Sequence, residues 1–581
     1  MLMDELFQIA AGGFREIQKD WMRATAVRPF AFDDPAIVWL DFHGEENGFK
    51  PDKSPYDFLD FISVKGRQFE EKWIKELAAS AVAVCREDYE VRTADRLFET
   101  IAHLYSGTPL IAKPALWWAP ERIYGVPDLI AHTSWISERF PQLITQYERE
   151  SIPVNVDSPS KPGHYVVFDI KFTTRLEETE KKRDFANCAA QVRIYSFVLG
   201  CLQGLVPRNG YLFTRDHLTA PLPVRVTSIV NAPLDDDLAA YRNQFAEIKL
   251  NGSKYRPWRD KIVNSNISND DERWQTAKDL IAREKYPGRD PTLLYQVSPS
   301  VREELGAMGF ASLDSMLSVD PARVPFEKCK GLGPKRSQTM RCILEANRAG
   351  AAIRPTASTV PVQKDHEFFV DFEYLVNVNV DFEKQWPTLQ GCEMVLMIGM
   401  GWNTDKGWSF RSFVAEAENA EEERKMFLRF LELLNQETQG ALTDPTKSAL
   451  YHWTGAEVWQ ARRAANRNSL AADHQLRMLP WFDLQKYFVE GAAALPGAWS
   501  HGLKEVARAL GQLNTELAVQ WPGNLDEGLR AMVMGWRAYS NSNPLNSEEM
   551  GLLQEYLEVD CAALSKVLKW MRSASYRTAV P

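Results

Sequence analysis

The sequence predicts a multidomain α/β protein. Its 581 residues suggest three or four domains. Apolar strand-like runs alternate with helix-like segments between about residues 110 and 213, and the pattern restarts at residue 367. A polar stretch (264–271) and a proline-bearing stretch (351–364) read as linkers. We therefore expect two α/β domains joined by a helical segment.

The predicted elements follow from these patterns. In the first half we expect helices over 56–110, strands at 165–172 and 211–213, a helix at 186–199 and an irregular insertion at 133–164. In the second half we expect strands at 367–373, 394–402 and 449–453 and a helix at 421–434. The domain boundaries are accordingly placed as an N-terminal extension (1–55), a first α/β domain (56–263), a helical segment (272–350) and a second α/β domain (365–575).

Composition narrows the class of protein. The chain is 45% hydrophobic and 25% charged, as in ordinary globular proteins, and it has no apolar run of membrane-spanning length. Its first residues are amphipathic and do not form a signal peptide. We expect a cytoplasmic protein without a membrane partner. The seven cysteines are scattered without a Cys-x-x-Cys pair, so we expect neither a zinc site nor an iron–sulfur cluster.

A first group of polar residues suggests hydrolysis of phosphodiester bonds. Asp128 begins a strand after Gly-Val-Pro, and Asp169 and Lys171 share one face of a later strand. Glu70 lies on an upstream helix beside Glu71. Carboxylates that hold one or two Mg²⁺ or Mn²⁺ ions can activate water and neutralise charge on the phosphate. Glu70, Asp128 and Asp169 are the predicted ligands, and Lys171 would orient or deprotonate the attacking water.

Gln191 and Tyr195, one helical turn apart, complete a pattern over residues 56–215 that resembles the RecB-like branch of the PD-(D/E)xK nucleases. The resemblance implies a restriction-endonuclease-like core with Asp128 and Asp169 as metal ligands, Lys171 as the catalytic lysine, and Gln191 and Tyr195 as the branch-specific pair. Glu70 would be the helical acid, a position where many relatives have histidine. The four cysteines that hold a cluster in several relatives are missing.

The middle of the chain carries a local basic patch, although the net charge is −10. Residues 321–348 contain seven Lys or Arg and two Glu, a local charge of +5. The patch resembles a helix–hairpin–helix motif, which binds the DNA backbone without reading sequence. The turn and helix N-terminus would meet a phosphate through Lys330, Gly331, Gly333, Lys335 and Arg336. The alternative is a basic connection between helices that binds nothing.

A second group of acids follows the second linker. Asp371 and Glu373 share one face of a strand, and Tyr556 and Asp560 are one helical turn apart. The pattern resembles the RNase H-like fold of DEDD-type 3′–5′ exonucleases. This implies that Asp371, Glu373 and Asp560 bind metal and that Tyr556 orients water.

The remaining acid of that pattern has two candidates. His452 and Glu457 stand where such exonucleases have Asn and Asp, and Glu457 is one methylene longer than the expected ligand. Asp483 is the alternative fourth acid. The longer side chain changes the expected metal geometry, so the sequence allows either an active or an inactive domain.

The order of the three regions also resembles a family of predicted bacterial and phage nucleases, some with a fused helicase. This chain has no phosphate-binding loop of the Gly-x-x-x-x-Gly-Lys-Ser/Thr type. Our leading hypothesis is a Mg²⁺- or Mn²⁺-dependent nuclease acting on single-stranded or terminal DNA in repair, recombination or defence. In that hypothesis Asp128, Asp169 and Lys171 carry the chemistry, and RNA stays open as a substrate.

Two alternatives remain. The C-terminal domain could be the active exonuclease, with the N-terminal domain as a clamp. The protein could also be a non-catalytic scaffold for a helicase supplied in trans or for a defence complex.

Overall fold

A computed structural model describes most of the chain, which folds as two units. The N-terminal unit comprises Met1–Asp52 and Ile62–Ile281, and the C-terminal unit comprises Lys53–Phe61 and Ala282–Pro581. The described residues are 2–31, 33–52, 58–77, 81–155, 163–172, 182–215, 224–230, 236–266, 273–354, 360–375, 394–522 and 528–573.

The N-terminal unit is built on a six-stranded sheet in the order β2-β3-β6-β7-β8-β9, with a small β1-β5-β4 sheet beside it. Its strands are β1 (Met22–Arg23), β2 (Val82–Ala83), β3 (Leu110–Ala112), β4 (Leu116–Trp118), β5 (Ile123–Gly125), β6 (Leu129–His132), β7 (Tyr165–Lys171), β8 (Asn209–Arg215) and β9 (Val224–Val230). Strand β7 is antiparallel to β6 and parallel to β8. The predicted strands at 165–172 and 211–213 are thus β7 and β8, in the middle of the larger sheet.

The α-helices of this unit surround the sheets. They are α1 (Met3–Ala11), α2 (Arg28–Ala31), α3 (Ala36–Trp39), α4 (Phe58–Leu77, of which residues 62–77 belong to this unit), α5 (Ala94–Tyr105), α6 (Thr133–Arg139), α7 (Gln146–Glu150), α8 (Lys182–Gln203), α9 (Asp236–Asn251) and α10 (Gln275–Leu280). Helix α8, predicted at 186–199, packs against β7 and β8. The predicted insertion contains the short helices α6 and α7, and its residues 156–162 lie outside the described part of the chain.

The predicted N-terminal extension is part of the core of this unit. Leu6, Trp21 and Met22 are at most 1% exposed and belong to the same hydrophobic cluster as Val167 of β7. The ring of Trp21 meets that of Trp117 edge to face, with 5.6 Å between centroids. Since burial of a large apolar side chain contributes about 1.5–3 kcal/mol, these first residues stabilise the sheet that carries the predicted acids.

The C-terminal unit contains a five-stranded mixed sheet in the order β12-β11-β10-β13-β14. Its strands are β10 (His366–Leu375), β11 (Met394–Thr404), β12 (Gly407–Val414), β13 (Ser448–His452) and β14 (Trp481–Asp483). β11 is antiparallel to β10 and β12, whereas β13 is parallel to β10 and β14. The predictions at 367–373, 394–402 and 449–453 are confirmed, and β12 is an edge strand that the sequence analysis did not identify.

Helices cover this sheet and precede it. They are α11 (Pro299–Ala307), α12 (Leu313–Leu317), α13 (Pro334–Ala349), α14 (Ala420–Thr438), α15 (Ala456–Arg467), α16 (Gln485–Val489), α17 (Leu503–Leu513), α18 (Gly528–Ser540) and α19 (Glu548–Arg572). The helix predicted at 421–434 is confirmed as α14. The predicted helical segment 272–350 straddles the boundary between the two units, and most of it belongs to the C-terminal unit. Among the described residues, none of the helices is both long and apolar enough to cross a lipid bilayer.

Alternate residues of β10 point to opposite faces of the sheet, with apolar side chains on one face and the two acids on the other. Phe368, Val370 and Phe372 enter one hydrophobic cluster with residues of α14 and α15. Because successive strand residues point to opposite faces, Asp371 and Glu373 lie on the other face with Phe369, whose cluster includes residues of α17 and α19. The strand thus presents two acids towards a helix that carries Tyr556 and Asp560.

Candidate active sites

The N-terminal unit brings the first predicted acids together where β6 begins. Leu129 pairs with Phe168, so Asp128, just before β6, lies beside Asp169 of β7. Asp128 Oδ2 accepts a 2.6 Å hydrogen bond from the backbone N–H of Ile170. The ammonium of Lys171 is 2.6 Å from Asp169 Oδ2. The sequence pattern thus places two acids and a lysine in one small, largely buried site.

Lys113 is a member of this site that sequence reasoning missed. It follows β3 with a left-handed backbone (φ +50°), and its ammonium is 2.8 Å from Asp128 Oδ1 and also contacts the Glu70 carboxylate. Glu70, rather than the exposed Glu71, therefore faces the other acids. We call Glu70, Lys113, Asp128, Asp169 and Lys171 the lysine–acid cluster. A lone lysine in a turn carries no periodic signal, and only the fold shows its role.

The charges of this cluster are set by burial and by its two lysines. Burial, reinforced by the charge of Asp128, raises the pKa of Glu70 to about 7. Burial also raises the pKa of Asp169 to about 7, although Lys171 opposes the shift. Burial acts on Asp128 as well, but Lys113 and Lys171 outweigh it and hold its pKa below the usual range. Burial lowers the pKa of Lys171, but Asp169 and Asp128 outweigh it and raise the pKa above its usual value, so Lys171 is a cation.

Gln191 and Tyr195 lie on α8 next to the cluster. The Gln191 side-chain amide donates a 3.0 Å hydrogen bond to the Tyr195 hydroxyl. Burial raises the pKa of Tyr195, and the charge of Asp169 adds to this effect, as expected for a hydroxyl near that acid. A Cβ atom on Gly125 would lie 2.4 Å from Cε1 of Tyr195, so the tyrosine ring packs directly on the backbone at this position.

The C-terminal unit assembles the second group of acids around a cavity of about 570 Å³. β10 contributes Asp371 and Glu373, the first turn of α15 contributes Glu457, and α19 contributes Tyr556 and Asp560. Glu373, Glu457 and Asp560 are at most 7% exposed. We call this the acid cavity, and it unites five of the residues predicted from the sequence.

Like charges dominate the acid cavity. Burial, together with the charges of Asp560 and Glu457, raises the pKa of Asp371 well above its usual value. Burial, Asp371 and Asp560 do the same to the pKa of Glu373. Burial raises the pKa of Glu457 to about 8 and that of Asp560 to about 6. Asp371 and Glu457 are hydrogen-bonded to each other, so one of them holds a proton when the cavity contains no cation.

This set of donors fits a divalent cation of the Mg²⁺ or Mn²⁺ type, because such ions take carboxylate oxygens as ligands and would relieve the repulsion. In the described part of the chain, no three acid, histidine or cysteine side chains converge closely enough to hold one ion. The carboxylates would have to approach each other further to bind an ion together.

Residues 380–572 match the model of a family described as the RNase H superfamily. The C-terminal region is RNase H-like. The match includes Glu457, Tyr556 and Asp560 and begins after Asp371 and Glu373. No curated protein and no solved structure matches the chain significantly. An RNase H-like domain indicates a phosphodiesterase of the nuclease type, and nucleases of this superfamily generally use divalent metal ions. The RecB-like and helix–hairpin–helix assignments stay predictions.

Two further residues of the RNase H-like domain contact the predicted ones. The Lys504 ammonium donates a 2.7 Å hydrogen bond to the Tyr556 hydroxyl. The indole N–H of Trp521 donates a 2.8 Å hydrogen bond to Asp560 Oδ1. Lys504 lies in the first turn of α17 and Trp521 in an irregular segment, so neither stands at a spacing that relates it to α19 in sequence. Together they fix Tyr556 and Asp560 relative to the cavity.

His452 and Asp483 hold the segment around Glu457. His452 Nδ1 is 3.1 Å from Glu457 Oε2, and burial lowers the pKa of the histidine to about 4, so it is neutral near pH 7. Asp483 Oδ1 accepts hydrogen bonds from the backbone N–H groups of Thr454 (3.2 Å) and Gln485 (2.9 Å). Thr454 is strained at φ +82°. Of the two candidates for the fourth acid, Glu457 therefore lies beside Asp371 in the acid cavity. Asp483 instead stabilises the turn at Thr454.

The predicted phosphate-binding turn lies before α13. Gly331 has φ +85°, Gly333 is the N-cap of α13, and Pro334 occupies its first position. Leu332 is 7% exposed and anchors the turn. The flanking residues are exposed, namely Lys330, Gly331, Gly333, Lys335 and Arg336. Gly333 has no side chain to cap this helix, and the Arg336 guanidinium donates a 3.3 Å hydrogen bond to the Gly331 carbonyl, whereas the Lys330 backbone N–H donates to Glu304.

Proposed function

We propose that this protein is a metal-dependent nuclease that hydrolyses phosphodiester bonds of DNA and that the acid cavity is its active site. The observation that carries the proposal is the set of four acids and one tyrosine around a single cavity in an RNase H-like domain. The charge of these acids, which Lys504 offsets only in part, supports the presence of a cation during the reaction.

Asp371, Glu373, Glu457 and Asp560 would hold the Mg²⁺ or Mn²⁺. A bound divalent ion provides an activated water and neutralises charge on the phosphate. Tyr556 is held between the ammonium of Lys504 and the carboxylate of Asp560. Its hydroxyl is thereby fixed at the wall of the cavity, where it can orient a water or a phosphate oxygen.

The lysine–acid cluster is a second candidate centre for the same reaction. The contact of Lys171 with Asp169, next to Asp128, favours this assignment. Lys113 already neutralises Glu70 and Asp128, however, so a metal ion there would have to displace its ammonium. We therefore rank the cluster second, the reverse of the order expected from the sequence.

The basic turn before α13 supports a nucleic acid as the substrate, since backbone N–H groups and lysines bind phosphates without reading bases. We propose that it holds the backbone while the acid cavity cleaves. A role in repair, recombination or defence, with a helicase supplied in trans, would suit such an enzyme.

The test compares wild type, Asp371→Asn and Lys171→Ala on end-labelled single- and double-stranded DNA and on RNA, with Mg²⁺ or Mn²⁺. We expect Asp371→Asn to lose cleavage and Lys171→Ala to retain it. Loss in the lysine variant alone would move the active site to the lysine–acid cluster. Absence of cleavage by wild type with both metals would favour a binding scaffold instead.

A further inference from the structure

A groove of about 650 Å³ adjoins the segment that carries Glu457 in the RNase H-like domain. Trp453, Thr454 and Glu457 line the acid cavity, whereas His452, Gly455 and Trp459 line the groove. The turn at residues 454–455 is thus shared by both. A chain molecule that crosses this turn would pass from the groove into the cavity.

The groove presents positive charge. Arg462 and Lys486 line it, are exposed, and have no ion-pair partner among the residues that the structure describes. Arg477 lines it as well, with its guanidinium held 2.7 Å from Asn466 Oδ1. The acid in the lining is Asp483, whose Oδ1 already accepts two backbone N–H groups. The charge of the groove therefore suits a polyanion.

The groove also presents exposed flat and apolar side chains. Trp459 is 52% exposed and Met478 is 53% exposed, values that are high for such large side chains. The guanidinium of Arg463 lies 3.4 Å from the Trp459 ring centroid and supports the ring in a fixed orientation. Unpaired bases stack on such rings whatever their sequence, while paired bases are already stacked in a duplex.

We propose that this groove binds single-stranded nucleic acid that extends from the acid cavity. In this assignment one base stacks on Trp459, and the neighbouring phosphates contact Arg462 and Lys486. The inference rests on the proposed nuclease function and specifies its substrate as a strand with unpaired bases. A protein partner would equally cover the apolar side chains, but it would not explain unpaired cations beside a phosphodiesterase cavity.

The experiment measures binding without cleavage. Fluorescence anisotropy with a labelled single-stranded DNA of about 12 nucleotides in EDTA suits the expected site size. Trp459→Ala should weaken binding by about fivefold or more, the lower limit for loss of one stacked base. The Arg462→Ala/Lys486→Ala variant should lower the slope of log affinity against log salt by about 1.4, for two lost phosphate contacts.

Matched controls come from exposed residues elsewhere in the same unit. Leu428→Ala and Lys406→Ala/Arg424→Ala remove exposed side chains outside the groove lining and should leave binding unchanged. Trp459→Phe should restore part of the affinity, which a general loss of folding would not do. Binding by the groove variants equal to that of the controls would overturn the assignment. If the groove variants lose affinity for duplex DNA to the same extent, the groove does not select unpaired strands. A single-stranded RNA probe tests whether the groove distinguishes ribose from deoxyribose.

A small substrate separates this inference from the proposed function. Thymidine 5′-monophosphate p-nitrophenyl ester is too short to reach the groove from the cavity. The groove variants should hydrolyse it at the wild-type rate with Mn²⁺. Hydrolysis by wild type together with unchanged DNA binding by the groove variants would refute the groove alone. Failure of wild type to hydrolyse either DNA or the ester would refute the nuclease function, while the binding assay still decides the groove.

Discussion

The lysine–acid cluster and the acid cavity bury similar numbers of carboxylates but compensate them differently. In the cluster, Lys113 and Lys171 lie directly against the acids. In the cavity, four acids face one another, and the lysine of the lining, Lys504, donates to a tyrosine. Burial of charge is costly unless a counter-charge is supplied, so the cluster is neutralised from within, whereas the cavity needs protons or a cation from solution.

The largest expected effect is on cleavage. Asp371→Asn should reduce the rate with Mg²⁺ by about a hundredfold or more, because a charge aimed at the reaction centre is lost. Single-turnover cleavage of labelled DNA measures it. Glu558→Gln, an exposed acid on α19 two residues before Asp560, is the control and should cleave like wild type. Equal activity of Asp371→Asn and the control would remove the cavity from the reaction.

The second effect is on stability and has opposite signs at the two sites. Asp128→Asn should destabilise the protein by about 3 kcal/mol, because Lys113 loses the charged partner that holds the pKa of Asp128 below its usual range. Asp371→Asn should leave stability unchanged or increase it, because repulsion in the cavity is relieved. Calorimetric unfolding in EDTA measures both, with Glu71→Gln on the exposed side of α4 as the control. Destabilisation of both variants to the same extent would contradict the comparison.

A third effect concerns positioning. Lys504→Met should lower the cleavage rate about tenfold while leaving KM nearly unchanged, because the Tyr556 hydroxyl loses the ammonium that fixes it. Tyr556→Phe should cause a similar loss. If the two residues act through one contact, the double variant should be no slower than Tyr556→Phe alone, and additive losses would show that Lys504 acts independently.

The smallest effect is on pH dependence. The pKa of Glu457 is raised to about 8 and that of Asp560 to about 6, so the folded protein binds protons that the unfolded chain releases. Their contribution to stability is fully present below about pH 4 and is lost as the pH rises towards 8. Mg²⁺ should therefore raise the melting temperature more at pH 8 than at pH 5.5. Glu457→Gln should reduce this difference, and an equal response to Mg²⁺ at both pH values would argue against cation binding by the cavity.

Several residue pairs of the lysine–acid cluster and the acid cavity were predictable from strand and helix periodicity alone. Strand alternation placed Asp169 with Lys171 and Asp371 with Glu373, and helical spacing placed Tyr556 with Asp560. These pairs are local, so the sequence contains the information that joins them. The partners that set their charge states, Lys113 and Lys504, are brought in by loops and helix ends from distant parts of the chain, where a lone lysine has no distinctive context.

The fold was predictable to a similar degree. Strands with long apolar runs, such as β7, β10 and β11, stand out in the sequence. The edge strand β12 is largely half-exposed, and its apolar signal is correspondingly weak. The core role of the first residues is hidden because Trp21 lies just before the two-residue strand β1 and Trp39 ends the four-residue helix α3, and segments this short show no repeating pattern.

The packing of Tyr195 against Gly125 changes what the Gly-Val-Pro-Asp motif means. Gly125 is an ordinary strand residue without a left-handed backbone, so turn geometry does not demand a glycine there. The demand comes from the tyrosine ring, which occupies the space where a side chain would begin. The glycine that begins the motif is therefore required by the packing of Tyr195, a residue of helix α8 that is distant in sequence. Gly125→Ala should therefore destabilise the wild-type protein more than it destabilises a Tyr195→Ala variant, and thermal unfolding of the four proteins measures the difference.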